Sequence, residues 1–325
     1  MAAIVTKNLT KTYGELKAVD ALNLEVAEGE IFGLLGPNGA GKTTTISMLC
    51  TILAPTKGTA LVNGHDIIRE QSGVRSSIGI VFQEPSADDL LTGRENLEMH
   101  AELYAVPRAE RKISNDEVLR IVELTSRAND QVKTYSGGMR RRLELGRGLL
   151  HTPRVLLLDE PTLGLDPQGR EHIWKYITRI AREKRITVVI TTHYMEEADM
   201  LCDRVGIMDH GKIVVLDTPA NLKRKVGGDV VKVRAAGINE KQLRSHACVR
   251  SIAKKEGWYY VTVHDVTRNL PCVVKGMRDI KEIELHTVTL NDVFMKYTGR
   301  ELREEPAEGD YNERMMQDYA NHPNP

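Results

Sequence analysis

The sequence predicts an α/β domain built on a largely parallel sheet, followed by a small α+β domain. Three observations carry this. From Ile4 to about Asp217, short β-branched runs alternate with helix-length amphipathic segments. Four of those runs, Ile31-Phe32-Gly33-Leu34-Leu35, Ile78-Gly79-Ile80-Val81-Phe82, Val155-Leu156-Leu157-Leu158 and Ile186-Thr187-Val188-Val189-Ile190, are almost continuously apolar, as strands covered on both faces must be. A glycine-rich segment at 36–43 follows the first of them and opens a helix.

The first residues, with Leu22-Asn23-Leu24-Glu25-Val26, alternate apolar and polar positions and predict an antiparallel β edge. Between about 86 and 150 the strand pattern gives way to helix starts. Thr92-Gly93-Arg94-Glu95 and Ser114-Asn115-Asp116-Glu117 both fit a capping box, in which a hydroxyl and a carboxylate satisfy the orphan amides of a first turn, so this stretch reads as a helical insert. A helix over 219–226, stopped by Gly227-Gly228, ends the first domain, placed at 1–226. Strand and helix signals resume on a smaller scale and give a second domain over 227–300, with an accessory or dimerising role. The tail at 301–325 is charged, carries Asn and Pro, is poor in aliphatics and reads as disordered.

The 325 residues, 41% of them hydrophobic, suffice for one well-buried large domain and a smaller one. Lys+Arg and Asp+Glu balance at 45 each, which removes any overall pull toward nucleic acid or anionic lipid. The apolar runs are of strand length, far short of the roughly 20 residues needed to span a bilayer, so a membrane role requires a partner. The opening Met1-Ala2-Ala3-Ile4-Val5-Thr6-Lys7 shows no charged segment followed by an apolar export segment, and the expected location is the cytoplasm. Cys50, Cys202, Cys248 and Cys272 are scattered without metal-site spacing and read as reduced thiols.

Gly36-Pro37-Asn38-Gly39-Ala40-Gly41-Lys42-Thr43 matches G-x-x-x-x-G-K-[ST] between an apolar strand and the helical Thr44-Thr45-Ile46-Ser47-Met48-Leu49. Glycines let the backbone turn its amides inward around phosphates, and the helix N-terminus adds positive potential. Lys42 reaches the β and γ oxygens, and the Thr43 hydroxyl ligates Mg²⁺. The pattern calls for ATP with Mg²⁺. Asp159-Glu160 ends an apolar strand at the edge where open α/β sheets bind ligands. Asp159 is placed to hold Mg²⁺, directly or through water, and Glu160 to polarise the attacking water as general base; two solvated acids opening a loop are the alternative. His193 follows Thr191-Thr192 at another strand end. A lone histidine there is commonly structural, yet this one is placed to bond the γ-phosphate and to orient Glu160 and the water. Gln83, after Val81-Phe82, is placed to touch metal or water, or is simply an exposed loop residue.

Tyr135-Ser136-Gly137-Gly138-Met139-Arg140 opens a helix and offers a second anion-binding constellation. The succession of 36–43, Gln83, Ser136-Gly137-Gly138, Asp159-Glu160, Gly164-Leu165-Asp166 and His193 resembles the ATP-binding cassette (ABC) family over about residues 3–217. That resemblance implies a P-loop NTPase fold and an ATPase working as a head-to-tail homodimer, or as a heterodimer with a similar cassette. Ser136, Gly137 and Gly138 of one chain would close over ATP held by Lys42 and Thr43 of the other. It also implies that Tyr13 stacks on adenine, Gln83 couples the site to a membrane partner and Asp166 lines the dimer seam. Tyr135 and Met139 depart from the usual Leu and Gln of the signature.

Within the family, Phe82-Gln83-Glu84-Pro85-Ser86, Leu91-Thr92-Gly93-Arg94-Glu95-Asn96-Leu97, Leu290-Asn291-Asp292-Val293-Phe294 and Thr298-Gly299-Arg300 look like the daunorubicin-resistance type, whose members serve multidrug exporters with separate permease subunits. The chain would then sit on the inner face of the membrane through its permease. The 290–294 segment equally fits an amphipathic helix closing a small domain. A soluble cassette acting on DNA or the ribosome is the alternative. It lacks support from charge, and the chain has neither a second cassette nor a long coiled-coil insert nor a cysteine cluster.

Overall fold

The computed structural model describes residues 1–255, 257–275 and 277–299; Arg300 and the 301–325 tail lie outside the described residues. The chain forms two compact units, Met1–Leu216 and a second beginning at Asp217.

In the first unit β1 (Ala2–Tyr13) and β2 (Leu16–Ala27) make a long hairpin, and β3 (Ile31–Leu35) leads through the glycine-rich loop into α1 (Lys42–Leu49). Next come β4 (Lys57–Val62), β5 (His65–Asp66), α2 (Gln71–Ser77) and β6 (Ile78–Val81). The insert contributes α3 (Gly93–Leu103), α4 (Arg108–Ile121) and α5 (Gly137–Arg147). The chain then returns through β7 (Val155–Asp159), α6 (Pro167–Lys184), β8 (Thr187–Thr192), α7 (Met195–Leu201), β9 (Arg204–Asp209) and β10 (Lys212–Asp217). The apolar strands join a six-stranded sheet in the order β10-β9-β3-β8-β7-β6, with parallel pairing from β9 through to β6.

The alternating strands form a sheet of their own, β2-β1-β4-β5, all antiparallel. Ile4, Leu9 and Val26 of that sheet share one core with Phe32 and Leu34 of β3, Leu157 of β7 and Ile46 and Met48 of α1. Burial on all sides of α1 holds the loop before it in place, since seven of its eight residues are buried.

Thr92 caps α3 through a full capping box, its side chain taking the Glu95 amide while Glu95 returns to the Thr92 amide. The second expected start fails. Helix α4 begins at Arg108, after Pro107, whose fixed φ suits a helix entrance, so Ser114 lies mid-helix with its hydroxyl donating to the Leu150 carbonyl at 2.9 Å.

The second unit opens with α8 (Pro219–Val226), which sequence reading had grouped with the first domain. It continues through β11 (Asp229–Ile238), α9 (Glu240–Ser245), β12 (Val249–Lys255), β13 (Trp258–Val263), α10 (Val266–Lys275), β14 (Met277–His286) and α11 (Leu290–Thr298). Its antiparallel sheet runs β12-β13-β11-β14, and α8 packs on α11. Val231, Val233, Val261 and Val263 bury one sheet face together with Leu243, Val266 and Val273. In α11 the amphipathic reading is realised: Leu290, Val293 and Phe294 are buried and Thr289 caps the helix. Among the described residues no helix is long and apolar enough to cross a membrane, and the four cysteines are free.

Phe294 is wholly buried, so Phe294→Ala should remove about 3–5 kcal/mol from the stability of the second unit. Urea unfolding followed by Trp258 fluorescence measures it; a loss under about 1 kcal/mol would show that α11 is not part of that core.

Candidate active site

Strand register assembles the site. Because β3, β8 and β7 are parallel neighbours, Leu35 lies beside Thr192 and Asp159 beside Thr191, and their carboxyl ends open on one edge. The loop after β3, the acids ending β7 and the histidine after β8 therefore meet, although far apart in sequence.

The loop is shaped by close backbone approach. Gly36 donates its amide to the Thr192 carbonyl at 3.3 Å, and a Cβ at Gly36 would strike the Met208 carbonyl oxygen. Gly41 has φ of 106° and its Cβ would strike the Ala18 carbonyl, so only glycine fits on both counts. Asn38 and Gly39 form the exposed crest, whereas Lys42 and Thr44 are buried. The Lys42 ammonium donates to the Gly36 carbonyl at 2.8 Å and the Pro37 carbonyl at 3.2 Å, and lies 3.1 Å from Glu160 Oε1.

The other oxygen of Glu160 is held as firmly, with His193 Nδ1 2.5 Å from Oε2. Burial alone would raise the Glu160 pKa, but the His193 hydrogen bond and the Lys42 charge outweigh it and hold it below the ordinary value, leaving a carboxylate. Its backbone is left-handed, φ 47°, fixed where its amide meets Thr191 Oγ1 at 3.0 Å and the Thr191 carbonyl at 3.2 Å. Asp159 differs. Burial pushes its pKa up against the pull of hydrogen bonds from Thr191, at 2.5 Å, and from Thr43. The half-buried Thr43 hydroxyl and the Asp159 carboxylate thus form a pair of hard oxygen donors at the loop base, suited to Mg²⁺. Together the groups can hold phosphate oxygens and polarise a water beside a fixed base.

The remaining candidates stand apart. Gln83 is exposed beyond β6, and its carbonyl reaches this group only through Arg141. Tyr13, at the end of β1, is half-buried with Lys11 5.1 Å from its ring centre. Ser136 caps α5 by taking the Met139 amide at 3.3 Å, and Ser136 and Gly137 face solvent, with Gly138 partly covered. Asp166 caps α6 through the Gly169 amide and is exposed. Tyr135, the departure from the signature, is buried and donates to the Arg127 carbonyl at 2.7 Å.

Two contributors escaped the sequence reading, Thr191, which bonds both Asp159 and Glu160, and Arg141, which contacts the backbone of 159–161. Hydroxyls inside an otherwise apolar strand were the available signal for Thr191. Arg141 left none, being one of several arginines in a basic helix.

Residues 19–163 match the family model described as ABC transporter. The linearmycin resistance ATP-binding protein LnrL of Bacillus subtilis is 38% identical over 92% of this chain and 99% of its own. The daunorubicin/doxorubicin resistance ATP-binding protein DrrA of Streptomyces peucetius is 38% identical over 91% and 92%. Among solved structures, a dimeric post-hydrolysis ATP-binding cassette bound to ADP and Pi is 30% identical, with a TM-score of 0.60, over 66% of this chain and 98% of that one. The cbiO1 subunit from Clostridium perfringens, part of the ABC transporter complex cbiONQ, is 28% identical with a TM-score of 0.64 over 69% and 94%.

Thr191→Val keeps the strand's shape while stripping hydrogen bonds from Asp159 and Glu160, a loss of about 1–3 kcal/mol in positioning. Steady-state ATPase assays should show kcat reduced about 10- to 100-fold; an unchanged kcat would remove Thr191 from the site.

Proposed function

This chain belongs to the ABC transporter family and is an ATPase of that family, and we propose that it drives a separate membrane permease in drug-type export by closing head to tail with a second cassette over Mg-ATP. One observation carries the catalytic part: Glu160 is an anionic carboxylate with one oxygen on Lys42 and the other on His193, beside a phosphate loop.

In this reading Gly36, Asn38, Gly39, Gly41, Lys42, Thr43 and Thr44 hold the phosphates, and Tyr13 stacks on the adenine. Thr43 and Asp159, with Gln83, would hold Mg²⁺, which when bound would offset the negative charge of the phosphates. Lys42 turns from Glu160 to the phosphates, freeing one carboxylate oxygen for the attacking water, while His193 keeps the other in line. Exposure of Ser136, Gly137 and Asp166 supports a role toward a second chain, since their polar groups face outward from the fold. Export finds its support in the relatives, several of which are named as resistance or Nod factor export ATP-binding proteins. On this view the chain lies on the inner face of the membrane through its permease.

The domain from Asp217 on is assigned a dimer-stabilising role. Ile280, Ile283 and Leu285 of edge strand β14 are exposed although they pair with residues on the apolar face of β11, leaving a strip suited to a second copy.

Glu160→Gln should bind ATP with near-normal affinity, accumulate as an ATP-bound dimer in size-exclusion chromatography and lose at least about 100-fold in turnover. Undiminished hydrolysis would remove Glu160 as the base. Ser136→Arg and Lys42→Ala chains, each inactive alone, should regain about one working site per mixed dimer; no recovery on mixing would defeat the shared site. Co-purification of a multi-span membrane protein from detergent extracts tests the transporter reading.

A further inference from the structure

Arg141 is 6% exposed; the carboxylates of Glu144, Asp159, Glu197 and Glu160 favour its charge from a distance, but among the described residues none forms a direct ion pair with it. Even with carboxylates nearby, a buried guanidinium is costly unless its donors find acceptors. Here five N–H donors face five backbone carbonyls. Nε donates to Pro161 at 2.5 Å, Nη2 to Glu160 at 2.9 Å and Asp159 at 3.1 Å, and Nη1 to Phe82 at 2.6 Å and Gln83 at 3.4 Å. The acceptors belong to two segments, one carrying Glu160 and the other Gln83. The guanidinium itself stands on α5, five residues after its cap Ser136.

The planar fork of arginine fixes direction as well as distance. Over five residues of helix, about 7.5 Å along the axis, α5 cannot tilt at Ser136 without carrying the guanidinium with it. We propose that Arg141 is a positioning residue that makes α5, the 159–161 segment and the 82–83 segment one rigid body, so that Ser136, offered to the partner's nucleotide, and Glu160 and Gln83, offered to the chain's own, move together. The two ATP sites of the dimer are thereby coupled through the interior of each chain. This rests on the shared-site reading above.

Arg141→Lys tests it, because one ammonium on a flexible stem cannot serve both segments. The background is the mixed dimer of a Ser136→Arg chain with a Lys42→Ala chain, whose single working site uses Glu160 of the first and Ser136 of the second. If that background shows no activity, the shared site fails before Arg141 is tested. Given activity, Arg141→Lys is introduced into either chain in turn. Both placements should lower kcat at least about tenfold while KM for ATP stays within about threefold. A loss only when the substitution sits in the chain supplying Glu160 reduces Arg141 to local support and overturns the coupling, as do unchanged rates in both. Arg141→Gln, with circular dichroism and thermal unfolding on each variant, guards against misfolding. If both substitutions abolish folding, Arg141 is a core residue alone and the proposal fails.

Discussion

A single carboxylate held at both oxygens organises the first unit. Glu160 can meet Lys42 and His193 together only if β3, β7 and β8 end level with one another, and the pairing of Leu35 with Thr192 and Asp159 with Thr191 ensures that they do. A slip of one residue in any of the three would turn that strand's own side chains to the opposite face and move its end, with the functional group that follows, out of line. The packing around the site serves this register. Helix α1 is buried between elements of both sheets, and Gly36 and Gly41 admit carbonyls from Met208 and Ala18 where any side chain would clash. Rigidity here matters because the groups must already point at the charge that develops during hydrolysis.

Much of this was legible from sequence, and the limits have physical causes. Strands buried on both faces advertise themselves as apolar runs, so the parallel sheet and the strand-end positions of 36–43, Asp159, Glu160 and His193 could be read directly. Alternation in the first residues reports that one face is buried but not against what, and those strands belong to a separate sheet. Ser114 satisfies a capping pattern yet lies inside α4, because Pro107 already sets the helix start. Helix α8 was visible, but its packing partner α11 comes far later in the chain. Thr191 is marked only by a hydroxyl inside an apolar strand, and Arg141 acts through contacts that no local pattern encodes. Gln83, Ser136 and Asp166 were readable as motif residues; in one chain all three are exposed, and Ser136 and Asp166 serve there as helix caps.

The signature departures are explained within the insert. Tyr135 places its hydroxyl on the Arg127 carbonyl and its ring against Gly93, where a side chain would collide with it. At Met139 the backbone amide, which any residue but proline supplies, donates to the Ser136 cap. Neither change alters the exposed Ser136 hydroxyl or Gly137 at the start of α5.

The left-handed backbone at Glu160 sets a bias on how such a chain drifts over generations. Its φ works against folding, whereas the burial of its charge is more than offset by Lys42 and His193. Replacement by asparagine or glycine would ease the backbone cost while taking the carboxylate away from Lys42 and His193. Selection on backbone ease alone therefore works against this glutamate, and its contacts with Lys42 and His193 have to outweigh that pull. Once a second cassette in an assembly suffices for the work, this is where decay is expected first, leaving a folded, nucleotide-holding chain that no longer turns over.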